Sequence, residues 1–528
     1  MESVSIKYAA QWASEYLNKK VTPSRISYLV QYGAIRNHSE NNFEVKIDLD
    51  ELKNYYEDYY QSMEKKWEDA GEENVNWALS FREFSERETT KHVHRLHPYK
   101  GKFIPQLVEY FLDDHVDEFK TEVFFEENSI IIDPFLGSGT TLVQAAELNM
   151  HSIGIDISGF NCLIGKTKMQ NYKMTDFLTF VEENLRKTLF FSDAQFDSSL
   201  DEELKNAISE FNKQYFPSPG IRWSFRQGEI DESEYSSQKL EEFYNKTSQL
   251  IAAFHSSLEK SKNHKIKSEF LGKWYSPRII KELFFYRNLI EEATDENIQN
   301  ALRIILARTA RSCRSTTHSD LATLTEPQIG PYYCRKHKKI CTPLSSSVKH
   351  LKRYSNDTLK RIQDFSELKA DVNSEVLHGD SRTIDIHKSL TSSDLSKQLK
   401  NQRADGMFTS PPYVGQIDYH EQHAYAYELL KLERFDEKEI GPLYKGKGRE
   451  AKESYVKGIS EVLINVSRFV KDTGHFFLVA NDKLNLYPEI AEISNLEIVN
   501  KYNRPVLNRT ERDRQPYSET IFHMIKSQ

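Results

Sequence analysis

A serine, two prolines and a tyrosine follow a short apolar run, and together they can hold a flat ring. Met407 and Phe408 favour a buried strand, and the prolines must end it because proline has no N–H for a ladder. Proline also restricts the backbone, so Ser410 and Pro411 present carbonyl oxygens from a stiff turn. Fixed acceptors beside the ring of Tyr413 can orient an amino group on a planar heterocycle. The alternative is an ordinary strand that ends in a Pro-Pro turn.

A glycine-rich turn far upstream is the second candidate site. The run Ile130–Ile132 favours a buried strand, and residues 133–141, DPFLGSGTT, form a tight turn that opens a helix. Glycines in such a turn permit positive φ and close approach of the backbone to a ligand. A second apolar segment, 152–157, carries Asp156. Nucleoside-binding βαβ units place an acid about 20 residues after the glycines, where it holds ribose hydroxyls.

These stretches resemble the DNA amino-methyltransferases, which methylate N4 of cytosine or N6 of adenine with S-adenosylmethionine. DPFLGSGTT is similar to the family's cofactor motif I, GIDIS (154–158) to motif II and TSPPY (409–413) to the catalytic motif IV. HPYKGKFIP (97–105) is similar to motif X, beside the methionine end of the cofactor, and Gly379-Asp380 to motif III, near the adenine end. The resemblance covers roughly residues 80–160 and 370–526.

The resemblance implies two sets of site residues. The catalytic residues are Ser410, Pro411, Pro412 and Tyr413. The cofactor-binding residues are Lys102, Phe103, Asp133, Pro134, Phe135, Gly137, Ser138, Gly139, Thr140, Thr141, Asp156 and Asp380. Two alternatives stay open: Lys102 reaches the cofactor carboxylate or lies in solvent, and Asp380 binds the cofactor or caps a turn.

The implied reaction is direct methyl transfer to an exocyclic amino group. That nitrogen is conjugated with its ring and lies inside the duplex, so the base must be flipped out and stacked, here on the available ring of Tyr413. Carbonyl oxygens of Ser410 and Pro411 would accept hydrogen bonds from the amino group and aim its lone pair, so positioning and electrostatics suffice. None of the four cysteines follows a proline, which argues against cytosine C5 chemistry.

The residue before the two prolines distinguishes the bases. Adenine enzymes of the resembled family mostly carry Asp or Asn there, whereas this chain has Ser410, so cytosine N4 is preferred over adenine N6. An RNA methyltransferase and a non-catalytic DNA-binding regulator are rival hypotheses. Double-stranded DNA is the expected partner. A cognate restriction endonuclease is a second candidate partner, because such enzymes commonly form the modification half of a restriction-modification system.

The expected fold is α/β: a seven-stranded, doubly wound methyltransferase sheet interrupted by a large, mainly helical insertion, with a small N-terminal winged helix-turn-helix-like domain. After Asp156 the next strand signal is 375–378, so about 215 residues intervene, which is a subdomain and not a loop. Further strands are expected at 474–480, 497–502 and 520–525. The predicted boundaries are 1–60 for the N-terminal module, 61–75 for a linker, 76–159 and 371–528 for the two parts of the methyltransferase domain, and 160–370 for the insertion.

The N-terminal module resembles excisionase-type DNA binders. Two helices, a strand and a third helix are expected at 5–13, 24–32, 43–47 and 48–60. Thr22 can cap the second helix and Pro23 suits its first turn, which makes this the recognition helix of the resembled module. A helical cap without a DNA role is the alternative.

The insertion carries target recognition in the resembled family. Residues 311–353 contain nine Lys and Arg against two acidic residues, although the whole chain has a net charge of −8. A local basic face can bind phosphates on an acidic protein, and a solvated charged surface is the alternative. The aromatic side chains of Trp274 and Tyr275 either pack or contact DNA. We expect sequence specificity in 160–370 rather than in the N-terminal module.

Three residues of the insertion have a spacing that suits zinc. They are Cys334, His337 and Cys341, and Cys313 or His318 can complete a set of four ligands. No second ligand pair closes the motif nearby, so ordinary buried thiols are the alternative and no metal is assigned.

The composition argues against a membrane-spanning protein and against a disulfide-stabilised secreted protein. The chain of 528 residues is 38% hydrophobic and 28% charged, as in globular proteins of two or three domains. No apolar run approaches the roughly 18 residues of a membrane span, and no signal peptide is evident. Four scattered cysteines predict a reducing cytoplasm rather than a disulfide scaffold.

Overall fold

The computed structural model describes residues 3–17, 21–31, 33–39, 45–58, 75–81, 84, 86–260, 268–318, 324–506 and 517–527. The predicted linker 61–75 lies outside these ranges except for its last residue, as do the first two residues of the strand predicted at 43–47.

Residues 3–58 contain a small unit with its own core. Its elements are β1 (Ser3–Ser5), α1 (Ile6–Tyr16), α2 (Pro23–Gln31), β2 (Lys46–Asp48) and α3 (residues 49–58). The two strands pair antiparallel, and Ala9, Ile26 and Leu52 are fully buried between the helices. The turn at Gly33, with φ +68°, comes so close to Arg222 of the insertion that a Cβ atom would lie 3.2 Å from its backbone. The winged helix-turn-helix assignment and its DNA role stay predictions.

The remaining elements follow in three groups. The first is α4 (Glu86–Thr89), α5 (Pro105–Leu112), β3 (Ile130–Asp133), α6 (Thr140–Glu147), β4 (His151–Asp156) and α7 (Gly159–Met169). The second is α8 (Met174–Gln195), α9 (Ser199–Tyr215), α10 (Gly220–Gln227), α11 (Glu232–Lys246), α12 (Ser248–Lys260), α13 (Glu269–Trp274), α14 (Pro277–Ile290), α15 (Glu296–Ser312), β5 (Tyr332–Cys334), β6 (Lys339–Cys341) and α16 (Val348–Ser366). The third is β7 (Ser374–His378), α17 (Ile386–Ser389), α18 (Ser393–Gln402), β8 (Ala404–Thr409), α19 (Tyr419–Gln422), α20 (Ala424–Leu430), α21 (Arg449–Ser467), β9 (Val470–Ala480), α22 (Tyr487–Ile493), β10 (Leu496–Pro505) and β11 (Ser518–Lys526). Among the described helices, none is long and apolar enough to cross a membrane.

The predicted seven-stranded sheet is present, and its strands lie in the order β10-β11-β9-β8-β3-β4-β7. All neighbours are parallel except those of β11, which runs antiparallel to both β9 and β10. The strand order reverses between β3 and β8, where Ile131 lies opposite Gly406. Ligands of open α/β sheets bind at the carboxyl ends of the strands at such a point. The glycine turn after β3 and the Ser-Pro-Pro-Tyr turn after β8 therefore lie side by side.

Because successive side chains of a strand point to opposite faces of the sheet, alternate residues of β3 pack in different cores. Ile130 and Ile132 pack in a layer with α21 and α22, whereas Ile131 packs with α5. Both faces of the sheet are thus covered, which explains why the strand is apolar at each of these positions.

The insertion divides into two parts. Helices α8, α14, α15 and α16 share one apolar core with α6 and α7 of the sheet layer, and Trp274 and Tyr275 are buried in it, so these aromatics pack. Helices α9 to α12 and the β5–β6 hairpin form a lobe with a smaller core of its own, built around Phe211 and Phe243. Arg278 joins the two parts, because its guanidinium lies 3.1 Å from Asp201 in α9.

Candidate active site

A pocket that is partly open to solvent lies at the carboxyl ends of β3, β4, β7 and β8. The predicted site residues that line it are Lys102, Phe103, Pro134, Phe135, Gly137, Ser138, Thr140, Asp156, Asp380, Ser410 and Pro412. The predicted residues Asp133, Gly139, Thr141, Pro411 and Tyr413 lie beside it without lining it. One cavity therefore receives residues from the glycine turn and from the turn after β8.

The glycine turn has the backbone that only glycine adopts easily. Gly137 has φ +50° and Gly139 has φ +74°, both in the left-handed region. A Cβ atom on Gly137 would lie 3.2 Å from the hydroxyl of Tyr99, which also lines the pocket. The missing side chain keeps this wall of the pocket open.

Asp156 lies at the end of β4 and is held by the turn that it faces. Its carboxylate accepts hydrogen bonds from the backbone N–H groups of Gly137 and Ser158, both at 2.8 Å, and from Asn161 Nδ2 at 3.2 Å. Burial raises the pKa of Asp156, although these donors oppose the shift. The acid and the glycine turn are thus one rigid unit.

Asp133 supports the site from beneath instead of lining it. Its Oδ1 accepts a hydrogen bond from Thr409 Oγ1 at 2.6 Å, and Thr141 donates to the carbonyl of Phe408 at 3.2 Å. Burial raises the pKa of Asp133 to about 6, against the hydrogen bonds from the two threonines. These contacts tie β3 and α6 to the end of β8, and so hold both turns in register.

The turn after β8 presents Ser410 and Pro412 to the pocket. Tyr413 is half-buried, and its hydroxyl donates to Glu519 Oε1 of β11 at 2.8 Å. The ring that the sequence predicts as an available stacking platform is therefore anchored to the far half of the sheet. This restraint comes from a residue more than 100 positions away, which the local pattern cannot reveal.

The half-buried Lys102 and the buried Lys168 lie beside the glycine turn. Lys102 lines the pocket and donates to the carbonyl of His94 at 2.7 Å, and Lys168 donates to the carbonyl of Ser138. Burial lowers the pKa of Lys102 to about 8, helped by the positive charges of Arg95 and Arg361. Lys102 thus lines the pocket, and its contact with the cofactor carboxylate stays a prediction.

Asp380 lines the pocket after β7 and is paired with Arg382. The guanidinium nitrogens Nε and Nη2 donate to its two oxygens at 2.9 and 2.6 Å, and the backbone N–H of Arg382 donates at 3.0 Å. Burial favours a higher pKa for Asp380, but the hydrogen bonds and charge of Arg382 prevail and lower it. Asp380 is therefore a carboxylate that both lines the site and shapes its own turn.

The pocket also contains residues that motif reasoning does not single out. Tyr99 and Tyr419 stack with ring centroids 5.9 Å apart, and Asn161 donates to the Tyr99 hydroxyl at 3.2 Å. His420 hydrogen bonds through its backbone and ring to Glu439. Tyr99 lies inside the stretch HPYKGKFIP, and Tyr419 and His420 begin α19, the first helix after TSPPY. Their presence was therefore visible in the sequence but their convergence was not.

Two comparisons with known proteins bear on this site. A family model described as DNA methylase matches residues 11–166. The type II methyltransferase M.MjaII of Methanocaldococcus jannaschii is 48% identical over 521 residues, which cover 98% of this chain and 96% of that protein. The similarity thus extends through the insertion as well as the sheet.

Proposed function

This chain belongs to the DNA amino-methyltransferase family, and from that premise we propose that it methylates N4 of cytosine at a specific site in double-stranded DNA, with S-adenosylmethionine as donor. One observation carries the proposal: the glycine turn, Asp156 and Ser410 line a single pocket at the strand-order reversal. The relative M.MjaII is named a type II methyltransferase, which supports a role as the modification half of a restriction-modification system with a cognate endonuclease as partner.

The residues on one side of the pocket fit the proposed cofactor. S-adenosylmethionine supplies, when bound, a methyl group on a positively charged sulfur. Gly137 leaves room that any Cβ would fill, and the oxygens of Asp156 keep lone pairs for ribose hydroxyls beside the N–H groups they already accept. Lys102 offers a positive charge for the cofactor's carboxylate, and Asp380 an acceptor near the adenine end.

The residues on the other side act on the target base. The carbonyl oxygens of Ser410 and Pro411 accept hydrogen bonds from the amino group, which directs its lone pair toward the cofactor side. Tyr413 stacks on the flipped base, and its bond to Glu519 fixes the ring before the base arrives, which lowers the entropic cost of stacking. No side chain needs to form a covalent bond to the base.

Ser410 before the two prolines supports N4 of cytosine as the methylated atom, and N6 of adenine is the alternative.

We propose that the insertion recognises the target DNA sequence. Of the basic residues between 311 and 353, the exposed ones are Arg335, Lys336, Lys339, Lys349, Lys352 and Arg353. Phosphate contacts from such residues set the register of the DNA, and neighbouring polar side chains then select the bases.

The test is expression of the chain in cells that lack DNA methylation, followed by sequencing that distinguishes N4-methylcytosine from N6-methyladenine. We expect N4-methylcytosine at one recurring sequence and none with Asp156→Ala. N6-methyladenine would move the assignment to the alternative base. Purified protein that methylates RNA but not duplex DNA, or that binds no S-adenosylmethionine in calorimetry, would overturn the proposal.

A further inference from the structure

Four side chains that can ligate a metal converge at the β5–β6 hairpin of the insertion, and none of them lines the pocket. They are His318, Cys334, His337 and Cys341, and their ligand atoms all lie within 4.8 Å of one another. Cys334 ends β5, His337 lies in the hairpin turn and Cys341 ends β6, where Cys334 pairs with Lys339 in the antiparallel register. Cys313, the other candidate fourth ligand, is instead buried in the core shared with the sheet.

Two sulfur–nitrogen distances within the cluster match those between ligands of a tetrahedral ion. Cys334 Sγ lies 3.6 Å from His318 Nδ1, and Cys341 Sγ lies 3.5 Å from His337 Nδ1. A tetrahedral zinc ion, with bonds of about 2.3 Å to sulfur and 2.0–2.1 Å to nitrogen, separates sulfur from nitrogen ligands by about 3.5 Å. The ring centroids of the two histidines are 4.3 Å apart, so both rings face the same small volume.

The hairpin is folded in a way that suits thiolate ligands. The turn closes with Lys338 at φ +53° and its N–H donating to the carbonyl of Cys334 at 2.7 Å. The backbone N–H of His337 points at Cys334 Sγ from 3.4 Å, which stabilises negative charge on that sulfur. The hydroxyl of Tyr332 lies 2.8 Å from His318 Nδ1.

We propose that His318, Cys334, His337 and Cys341 bind one zinc ion that stabilises the insertion lobe. Two thiolates and two imidazoles are the ligand set that zinc prefers among abundant metals, and four protein ligands leave no open position for catalysis. The ion is therefore structural and takes no part in methyl transfer.

The surroundings of the cluster define what the zinc ion holds together. Asn212 of α9 exchanges hydrogen bonds with the backbone of Ile340 at 2.8 and 3.0 Å, and Arg222 of α10 donates to the carbonyl of His337 at 2.7 Å. His318 follows α15, whose apolar face lies in the sheet-side core. The ion thus joins the hairpin of the lobe to a segment anchored on the sheet, and through Arg222 it reaches the contact with Gly33 of the N-terminal unit.

The first experiment measures zinc in the full chain, purified without a histidine tag and without chelators, by inductively coupled plasma mass spectrometry. We expect about one zinc per chain in the wild type and in Cys313→Ala, and a loss of most zinc in Cys334→Ser and His318→Asn. Zinc retained in both ligand variants, or absent from a wild type that also fails to bind added zinc in competition with a chromophoric chelator, overturns the proposal.

A second measurement does not depend on the folding of any variant. Cobalt(II) added to the metal-depleted wild type is expected to give the visible absorption of a tetrahedral thiolate site, and zinc to displace it. A spectrum without thiolate-to-cobalt bands overturns the ligand set. A wild-type mass lower by two hydrogens without reductant indicates a Cys334–Cys341 disulfide, which also overturns it.

A third measurement tests the structural role. Removing zinc is expected to increase hydrogen exchange in β5, β6, α9 and α10 and to leave exchange around the cofactor pocket unchanged. Equal increases in both regions, or none in the lobe, contradict the assignment of the ion to the lobe.

Discussion

The pocket on the sheet and the cysteine–histidine cluster in the insertion are stabilised by different means. The pocket stands on parallel strands whose side chains are buried on both faces, and a hydrogen bond from Thr409 to Asp133 ties the ends of β8 and β3 together beside it. The cluster stands on a hairpin of two three-residue strands beside a small apolar core. A short two-stranded hairpin is only marginally stable by itself. The proposed zinc ion therefore supplies the stability there that apolar burial supplies in the sheet. In this chain, the residues of a site are thus held in position either by a large apolar core or by a metal cross-link.

We expect the largest effect from a substitution that blocks the cofactor pocket and leaves the insertion lobe unchanged. Gly137→Val forces a β-branched residue into positive φ and drives its side chain toward Tyr99, whose hydroxyl lies 3.2 Å from the position that a Cβ would take. We expect S-adenosylmethionine affinity to fall about a hundredfold or more in calorimetry, with zinc content unchanged. Gly272→Ala is the matched control, because a Cβ there meets nothing within 4 Å. Wild-type affinity in a folded Gly137→Val protein would remove the cofactor from this turn.

A smaller effect is expected from a substitution on the side of the pocket that acts on the target base. Tyr413→Ala removes the proposed stacking surface, worth about 1–3 kcal/mol per base, so methyl transfer should fall roughly tenfold to a hundredfold with cofactor affinity unchanged. Tyr413→Phe keeps the ring and loses the hydrogen bonds of its hydroxyl with Glu519 and Ser410, so its rate should lie between those of Tyr413→Ala and the wild type. Single-turnover kinetics with labelled cofactor measure both. Equal rates for the Ala variant and the wild type contradict the role of this tyrosine.

The third prediction concerns pH, and it applies to the pocket alone. Since burial lowers the pKa of Lys102 to about 8, the side chain is cationic below that pH and neutral above it. Cofactor affinity should therefore decline as pH rises through 8, by at most about tenfold per unit. The cofactor's own amino group titrates nearby, so the measurement is the difference between wild type and Lys102→Met in calorimetry from pH 7 to 9. Parallel curves for the two proteins would show that the lysine charge does not contribute.

The smallest effect tests which region selects the DNA sequence. A chain that begins at residue 76 removes the N-terminal unit, which has its own core and touches the insertion at Arg222. We expect it to methylate the same sites as the full chain, with DNA affinity reduced several-fold at most. Sequencing of modified bases in cells that express each form checks this. A relaxed or different set of sites from a folded, cofactor-binding truncation would assign specificity to the N-terminal unit.

Local sequence patterns determined the parts of this protein that depend on near neighbours. Ile130–Ile132 predicts a strand, Gly137 and Gly139 a turn with positive φ, and Ser410 to Tyr413 the end of another strand. The long interval between Asp156 and Ser374 likewise predicts an insertion in the sheet. Such features follow from periodicity, turn chemistry and missing N–H groups, which act over a few residues.

Only the tertiary structure decided which distant residues meet. The anchoring of Tyr413 by Glu519 and the support of Thr409 by Asp133 depend on strand order, which places residues more than 100 and more than 270 positions apart in contact. The same holds for the fourth ligand of the cluster: the sequence offers Cys313 and His318 equally, and they are five residues apart. The end of α15 separates them, because Cys313 still packs with the helix in the core while His318 lies beyond it and turns toward the hairpin.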